Sequence, residues 1–156
     1  AGARDEILRE RPFDLDPASR TRLQSAALVP HKIYNRAAKA RVLLRRQFME
    51  ALNETDILVS PTSPYPAPLH SSLTARFDSA EEVRNRFFFR RAYTGCYALT
   101  ALPAISIPGG FTKDNLPIGL QLGGAPFSED ILLRVAYAYE QATSWHTKIA
   151  PHAIAI

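Results

Sequence analysis

The side chains of this chain that could do chemistry gather at two places. A stretch with helical periodicity carries Tyr34, Arg41 and Arg45, and because successive residues of an α-helix advance by about 100°, the three share one flank of it. An arginine on such a flank can grip a carboxylate, since its planar guanidinium makes two parallel hydrogen bonds to the two oxygens. The alternative is that Arg41 snorkels at the helix edge or pairs with a surface acid. The second place is Asp114, which precedes an apolar strand and could reach a substrate amine; beside Asn115 it also forms a common turn pair, and that reading is preferred.

Other reactive types point to less. The four histidines, His31, His70, His146 and His152, lie far apart without a carboxylate or cysteine pattern between them, so no metal site is expected. A single cysteine, Cys96, excludes an intramolecular disulfide and favours a reducing compartment, the cytoplasm. Its neighbours Tyr93, Tyr97 and Leu99 suggest a small buried hydrophobe rather than a reactive thiol. The net charge of +4 comes from arginines scattered through helix-like stretches, which reads as a solvated basic surface and argues against nucleic-acid binding. Nucleic-acid contact through those arginines stays a third, weaker reading.

With 156 residues, 46% hydrophobic and 22% charged, the chain fits one globular domain. No apolar run approaches the ~18 residues that span a bilayer, and the stretch from Ala1 to Glu10 is mostly polar, unlike a signal peptide. No membrane role is expected. The start at Ala1 without methionine is how an excised or processed piece would look.

These side chains must be positioned by regular elements. Asp16-Pro17 opens a short helix over Leu15 to Leu28, with aspartate as cap and proline in the first turn. From about Pro30 to about Asn53, Ile33, Ala37, Ala40, Leu44, Phe48 and Ala51 recur at helical spacing and predict one buried stripe. The run Asp56 to Pro61 predicts a strand buried on both faces. Pro61, Pro64, Pro66 and Pro68 then impose an extended, rigid path, read as a loop over a pocket rather than a ligand for a proline-reading domain.

Ser79, followed by Glu81 and Glu82, predicts a helix to about Thr94 or beyond. Ala104 to Pro108 reads as a short strand stopped by proline and a Gly109-Gly110 turn. In Ile118 to Gly123 bulky residues alternate with glycine and glutamine, so one face is bare and open to close approach by a backbone or ligand; Gln121 on it reads as structural. Ser128 should cap a last helix with Ile131, Val135, Ala138, Ala142 and Trp145 buried. Helices alternating with short strands predict an α/β fold, helices packed on a mixed sheet.

Three stretches stand in a telling order: Asp56-Ile57-Leu58-Val59-Ser60-Pro61-Thr62, Leu102-Pro103-Ala104-Ile105-Ser106-Ile107-Pro108, and Leu116-Pro117-Ile118-Gly119-Leu120-Gln121-Leu122-Gly123. With Ala125-Pro126-Phe127-Ser128-Glu129 and the helix Leu132 to Glu140, they resemble the C-terminal part of the amidase-signature family, over nearly the whole chain. Among members the chain is similar to bacterial amidases and to the A subunit of the amidotransferase that amidates misacylated tRNA. It departs at Ala98 and Ala101, where the family usually has asparagine and glycine, and at Asn115, where it usually has glycine. Asparagine tolerates the left-handed conformation that glycine supplies.

The resemblance implies one domain, residues 1–156, as the C-terminal portion of a larger amidase domain and an incomplete portion of its fold. It also implies a serine nucleophile, a second serine on a cis peptide, a lysine and an oxyanion loop. This chain has no Gly-Gly-Ser-Ser-Gly-Gly-Ser-like run, and Lys32, Lys39, Lys113 and Lys148 stand in none of the family's lysine contexts, so no catalytic residue is assigned here and the isolated chain is expected to be inactive. No cofactor is implied. The expected function is carboxamide hydrolysis in a longer protein, this segment supplying core and pocket wall. Arg41 stands where amidotransferase-type members place an arginine facing the substrate carboxylate, so Arg41, Tyr34 and Asp114 are the expected substrate-binding residues. The expected partners are a small amide, the N-terminal remainder of the amidase and, through unpaired strand edges, further copies of the chain. The alternatives are an A subunit of an amidotransferase, or a non-catalytic remnant used as an interaction module.

Overall fold

A computed structural model of the chain describes residues 5–69, 79, 81–82, 85 and 91–149. They form α1 (Asp5–Glu10), a 3-10 turn (Pro12–Asp14), α2 (Pro17–Ala27), α3 (His31–Leu52), β1 (Ile57–Pro61), α4 (Ala92–Thr100), β2 (Ala104–Phe111), β3 (Pro117–Gly124), α5 (Glu129–Ala142) and a second 3-10 turn (Trp145–Thr147). The chain divides into two compact units, Ala1–Arg41 and Val42–Ile156.

In the first unit Asp16 caps α2 as expected, its Oδ1 accepting the N–H groups of Ala18 at 3.0 Å and Ser19 at 3.1 Å. Hydrogen bonds from Ser19, by side chain and backbone, hold the Asp16 carboxyl below its ordinary pKa. The Arg20 guanidinium lies 4.8 Å from the Phe13 ring centroid. Helix α3 runs as its periodicity predicts, but the expected stripe is buried only in part: Ile33, Ala37 and Ala40 are exposed, and cover begins at Leu44 and Phe48. Periodicity identifies the apolar face of a helix without saying what covers it.

The second unit is built on a three-stranded sheet ordered β1-β3-β2. All its pairings are antiparallel; the parallel component of a mixed sheet is not among the described strands. Because β1 lies at an edge, it is half-buried rather than buried on both faces, with Val59 57% exposed. Strand β2 does not stop at Pro108. It continues to Phe111 through a register shift between Pro108 and Gly110, so the residues read as a turn form a bulge in an edge strand.

Ile107, Leu122, Leu132 and Ala136 form one core between the sheet and α5, joined by Ile57, Ile105, Leu120, Val135 and Tyr139. The buried stripe of α5 is therefore rotated from the expected one, and Ala138 and Ala142 are exposed. Ser128 precedes α5, but its hydroxyl donates back to the Ala125 carbonyl at 2.8 Å instead of capping the helix. A second core joins Leu52, Tyr97 and Leu102, with Phe48, Met49, Leu58 and Ala125 around it. Where the Ser79 helix was expected, Ser79 Oγ accepts the Glu82 N–H at 3.1 Å and residues 81–82 and 85 are helical; the rest up to Arg91 lies outside the described residues.

Candidate functional site

Alternation along β3 creates two unlike faces. Leu120 and Leu122 enter the core under α5, while Gly119, Gln121 and Gly123 form the bare face that the sequence predicts. At one end of that face the Tyr97 ring lies so close to Gly123 that a Cβ there would fall inside it. Gln121, only 2% exposed, donates through Nε2 to the Tyr93 carbonyl at 3.4 Å, which fits its structural reading. Burial raises the Tyr97 phenol above its ordinary pKa, with a hydrogen bond from Gln121 acting weakly the other way.

Towards the other end the face carries hydroxyls. Ser60 and Ser106 both stand opposite Gln121, and the Thr62 and Ser106 oxygens are 2.5 Å apart. Gly119 is required between them: a Cβ there would meet Thr62 Oγ1 at 2.7 Å, Thr62 Cβ at 2.9 Å and Ser106 Oγ at 3.1 Å. The Thr62 N–H donates to the Gly119 carbonyl at 2.8 Å, tying the start of the proline loop to β3.

Beyond this tie the loop walls a cleft of about 530 Å³. Pro61, Pro64, Tyr65, Pro66 and Pro68 form one side, and Thr112, Pro117, Ile118 and Gly119 the other. The rigid loop over a pocket is as expected. Ser63 Oγ stiffens it further, donating to the Tyr65 carbonyl at 2.8 Å.

The turn carrying Asp114 is organised by Thr112, whose Oγ1 accepts the N–H groups of Asp114 at 3.3 Å and Leu116 at 3.1 Å. Backbone bonds close it from Thr112 N to Leu116 O at 2.9 Å and from Asn115 N to Thr112 O at 3.0 Å. Asn115 takes φ 58°, the left-handed conformation expected of it. Ala101, at a position where the family usually has glycine, has φ 52° and ψ 44°. This alanine bears a steric cost that glycine avoids. Arg45 reaches the same corner, donating through Nη1 to the Thr100 and Ala101 carbonyls at the end of α4.

Asp114 is exposed on its turn; Tyr34, 67% exposed, and Arg41, also exposed, belong to the first unit. Arg45, which shares their flank by sequence, instead neutralises the carbonyl end of α4. Among the described residues no three His, Cys, Asp or Glu side chains gather to hold a metal. His31 shares a 2.9 Å hydrogen bond with Asn35, and His70 and His152 lie outside the described residues. Cys96 is half-buried, its thiol donating to the Ala92 carbonyl at 3.1 Å. Sequence reasoning missed Thr112 and Tyr65. A threonine two residues before an aspartate in a turn was a readable sign of the first; the proline run marked the loop that carries the second as a pocket wall, without singling out Tyr65.

The chain is similar to known proteins in sequence and in fold. The family profile described as Amidase matches residues 8–133. The A subunit of glutamyl-tRNA(Gln) amidotransferase from Trichormus variabilis is 42% identical over 115 residues, which is 72% of this chain and 22% of that protein. Its counterpart from Myxococcus xanthus is 38% identical over 150 residues, 93% of this chain and 29% of that protein. A solved structure described as an amidase superposes with TM-score 0.72 at 25% identity, covering 90% of this chain and 32% of its own. The chain thus spans between a fifth and a third of the length of the relatives it matches.

Proposed function

Since the chain belongs to the amidase family, we propose that it is the C-terminal part of an amidase-signature enzyme that hydrolyses carboxamides. It supplies core and pocket wall, while the serine, serine and lysine that perform catalysis lie in other sequence of the same enzyme. The observation that carries this reading is the sheet: the three stretches that bear the family resemblance fold into β1, β2 and β3, hydrogen-bonded neighbours around one bare face and one cleft. The apolar side chains left exposed, Ile33, Val42 and Leu43 on α3 and Phe127 before α5, support further chain packing here. Among the described residues no helix is long and apolar enough to cross a membrane, and a reducing, cytoplasmic setting suits the single cysteine.

In this reading Arg41 holds a substrate carboxylate, Tyr34 lines the same helix flank and Asp114 takes a substrate amine. The test is Arg41→Met in the full-length enzyme, assayed on matched amides with and without a carboxylate. Loss of a charge-assisted contact is worth about 1.5 to 3 kcal/mol, roughly a ten- to hundred-fold lower kcat/KM for the acidic substrate, with a much smaller effect on the neutral one. Equal effects on both return Arg41 to the helix surface.

A second reading is favoured by the A subunits of amidotransferases among the relatives: the enzyme takes its amide from glutamine and passes the nitrogen to an acceptor instead of water. Glutamine consumption that depends on a misacylated tRNA acceptor would establish it. A full-length protein that turns over no amide under either condition would leave the non-catalytic remnant as the reading.

A further inference from the structure

Between β3 and α5 the chain turns through Ala125-Pro126-Phe127-Ser128, closed by the Ser128 N–H donating to the Ala125 carbonyl at 3.2 Å. Pro126 fixes a negative φ at the second position, and Phe127 takes φ 62° at the third, which makes the turn type II. That third position favours glycine or asparagine, because a larger side chain crowds the backbone there. Phenylalanine is the costly choice, and the turn gives it no room to relax. The Ser128 hydroxyl donates to the Ala125 carbonyl at 2.8 Å, the Leu132 N–H donates to the Ser128 carbonyl at 3.1 Å, and Ala125 packs against the core around Tyr97. Within this chain the ring gains no burial in return: at 94% it is the most exposed large apolar side chain among the described residues. Leu133 and Tyr137, one turn apart on α5, are exposed as well, so this helix has a second apolar side besides the one it presents to the sheet.

We propose that Phe127 is a docking anchor: its ring seats in an apolar recess of the enzyme's remaining polypeptide, and the type II turn is built to present it. The proposal rests on reading this chain as part of a longer enzyme. A backbone outlier persists where a gain elsewhere offsets it, and burying a phenylalanine is among the largest gains one side chain can make. The relatives supply the occupant, since this chain spans only between a fifth and a third of their length. A segment of the same polypeptide stays at high effective concentration and keeps the ring covered. A partner that comes and goes leaves both the strained backbone and the exposed ring uncompensated between encounters.

The experiment takes the full-length enzyme with Phe127→Cys, reacts it with a maleimide when folded and when unfolded in urea, and quantifies the label on the peptide that carries position 127 by mass spectrometry. Reaction in the folded enzyme is expected to be at least about tenfold slower than in urea, as for a seat that opens only by local unfolding. Reaction at the unfolded rate overturns the proposal. So does protection that disappears on dilution to the monomer, which assigns the seat to a second copy, or protection that appears only when another subunit is added. A second variant separates the strain from the seat. Phe127→Gly should raise the melting temperature of this chain by about 2 °C, because it removes the left-handed cost, yet lower that of the full-length enzyme by at least about 3 °C, because it empties the seat. A rise in both, or no loss in the enzyme, counts against the anchor; the labelling decides if this chain associates too strongly to melt cleanly. Neither measurement needs a substrate, so failure to hydrolyse any amide would sink the amidase reading and leave the anchor to be judged by itself.

Discussion

On one face of the sheet Ile105, Ile107, Leu120 and Leu122 meet α5; one residue along the same strands, Ser60, Ser106, Gly119 and Gln121 face the other way. The first face excludes water with branched side chains and gives the unit its main core. On the second, Gly119 and Gly123 carry no side chain, which lets the Tyr97 ring rest on Gly123 and leaves the hydroxyls of Thr62 and Ser106 beside Gly119. Small residues on β3 are therefore not gaps in the packing. They are where other parts of the chain come close to the backbone.

The contrast between the faces can be broken first at its apolar side. Leu122→Ala, at a site 2% exposed, should lower unfolding stability by about 3 kcal/mol through lost burial and a cavity, measured by urea denaturation. A loss under about 1 kcal/mol would mean that α5 is not firmly seated. Next comes the bare face: Gly123→Ala should cost about 2 kcal/mol, because the new methyl must displace the rigid Tyr97 ring, with near-ultraviolet dichroism reporting the ring's movement. Retained stability would show that the ring can yield.

A gain is expected at the corner where α4 ends. Ala101→Gly should stabilise by about 1 kcal/mol, removing left-handed strain in excess of glycine's extra freedom in the unfolded chain. No gain would imply that the Arg45 bonds already offset the strain.

The smallest effect is one of pH. The Tyr97 phenol has a raised folded pKa, so its contribution to stability is fully present below the ordinary tyrosine value of about 10. That contribution is lost as pH rises from there through the folded value. Thermal melts across this alkaline range should fall more steeply for the natural chain than for Tyr97→Phe; parallel curves would place the phenol in water.

Much of the fold was legible because it depends on neighbours close in sequence. Asp16 before Pro17 specified a capped helix start, the spacing from Ile33 to Ala51 specified α3, and Asp114-Asn115 specified a turn that Asn115 completes at φ 58°. The same holds for the alternation of β3, which determined a bulky and a bare face before any partner was known.

Other features were decided by elements far apart along the chain. Val59 is exposed because β1 is an edge among the described strands, the Pro108 to Gly110 stretch became a bulge because β3 pairs past it, and α5 buries Leu132 and Ala136 because Ile107 and Leu122 of the sheet pack with them. The candidate site divides in the same way. Arg41, Tyr34 and Asp114 could be named from residue type and spacing, and the proline run as a loop over a pocket, but the residues that face it, Thr112 and Pro117 to Gly119, could not. Periodicity tells which side of an element is apolar, since that follows from backbone geometry alone; what packs against that side depends on contacts between remote segments, and only the folded chain brings them together.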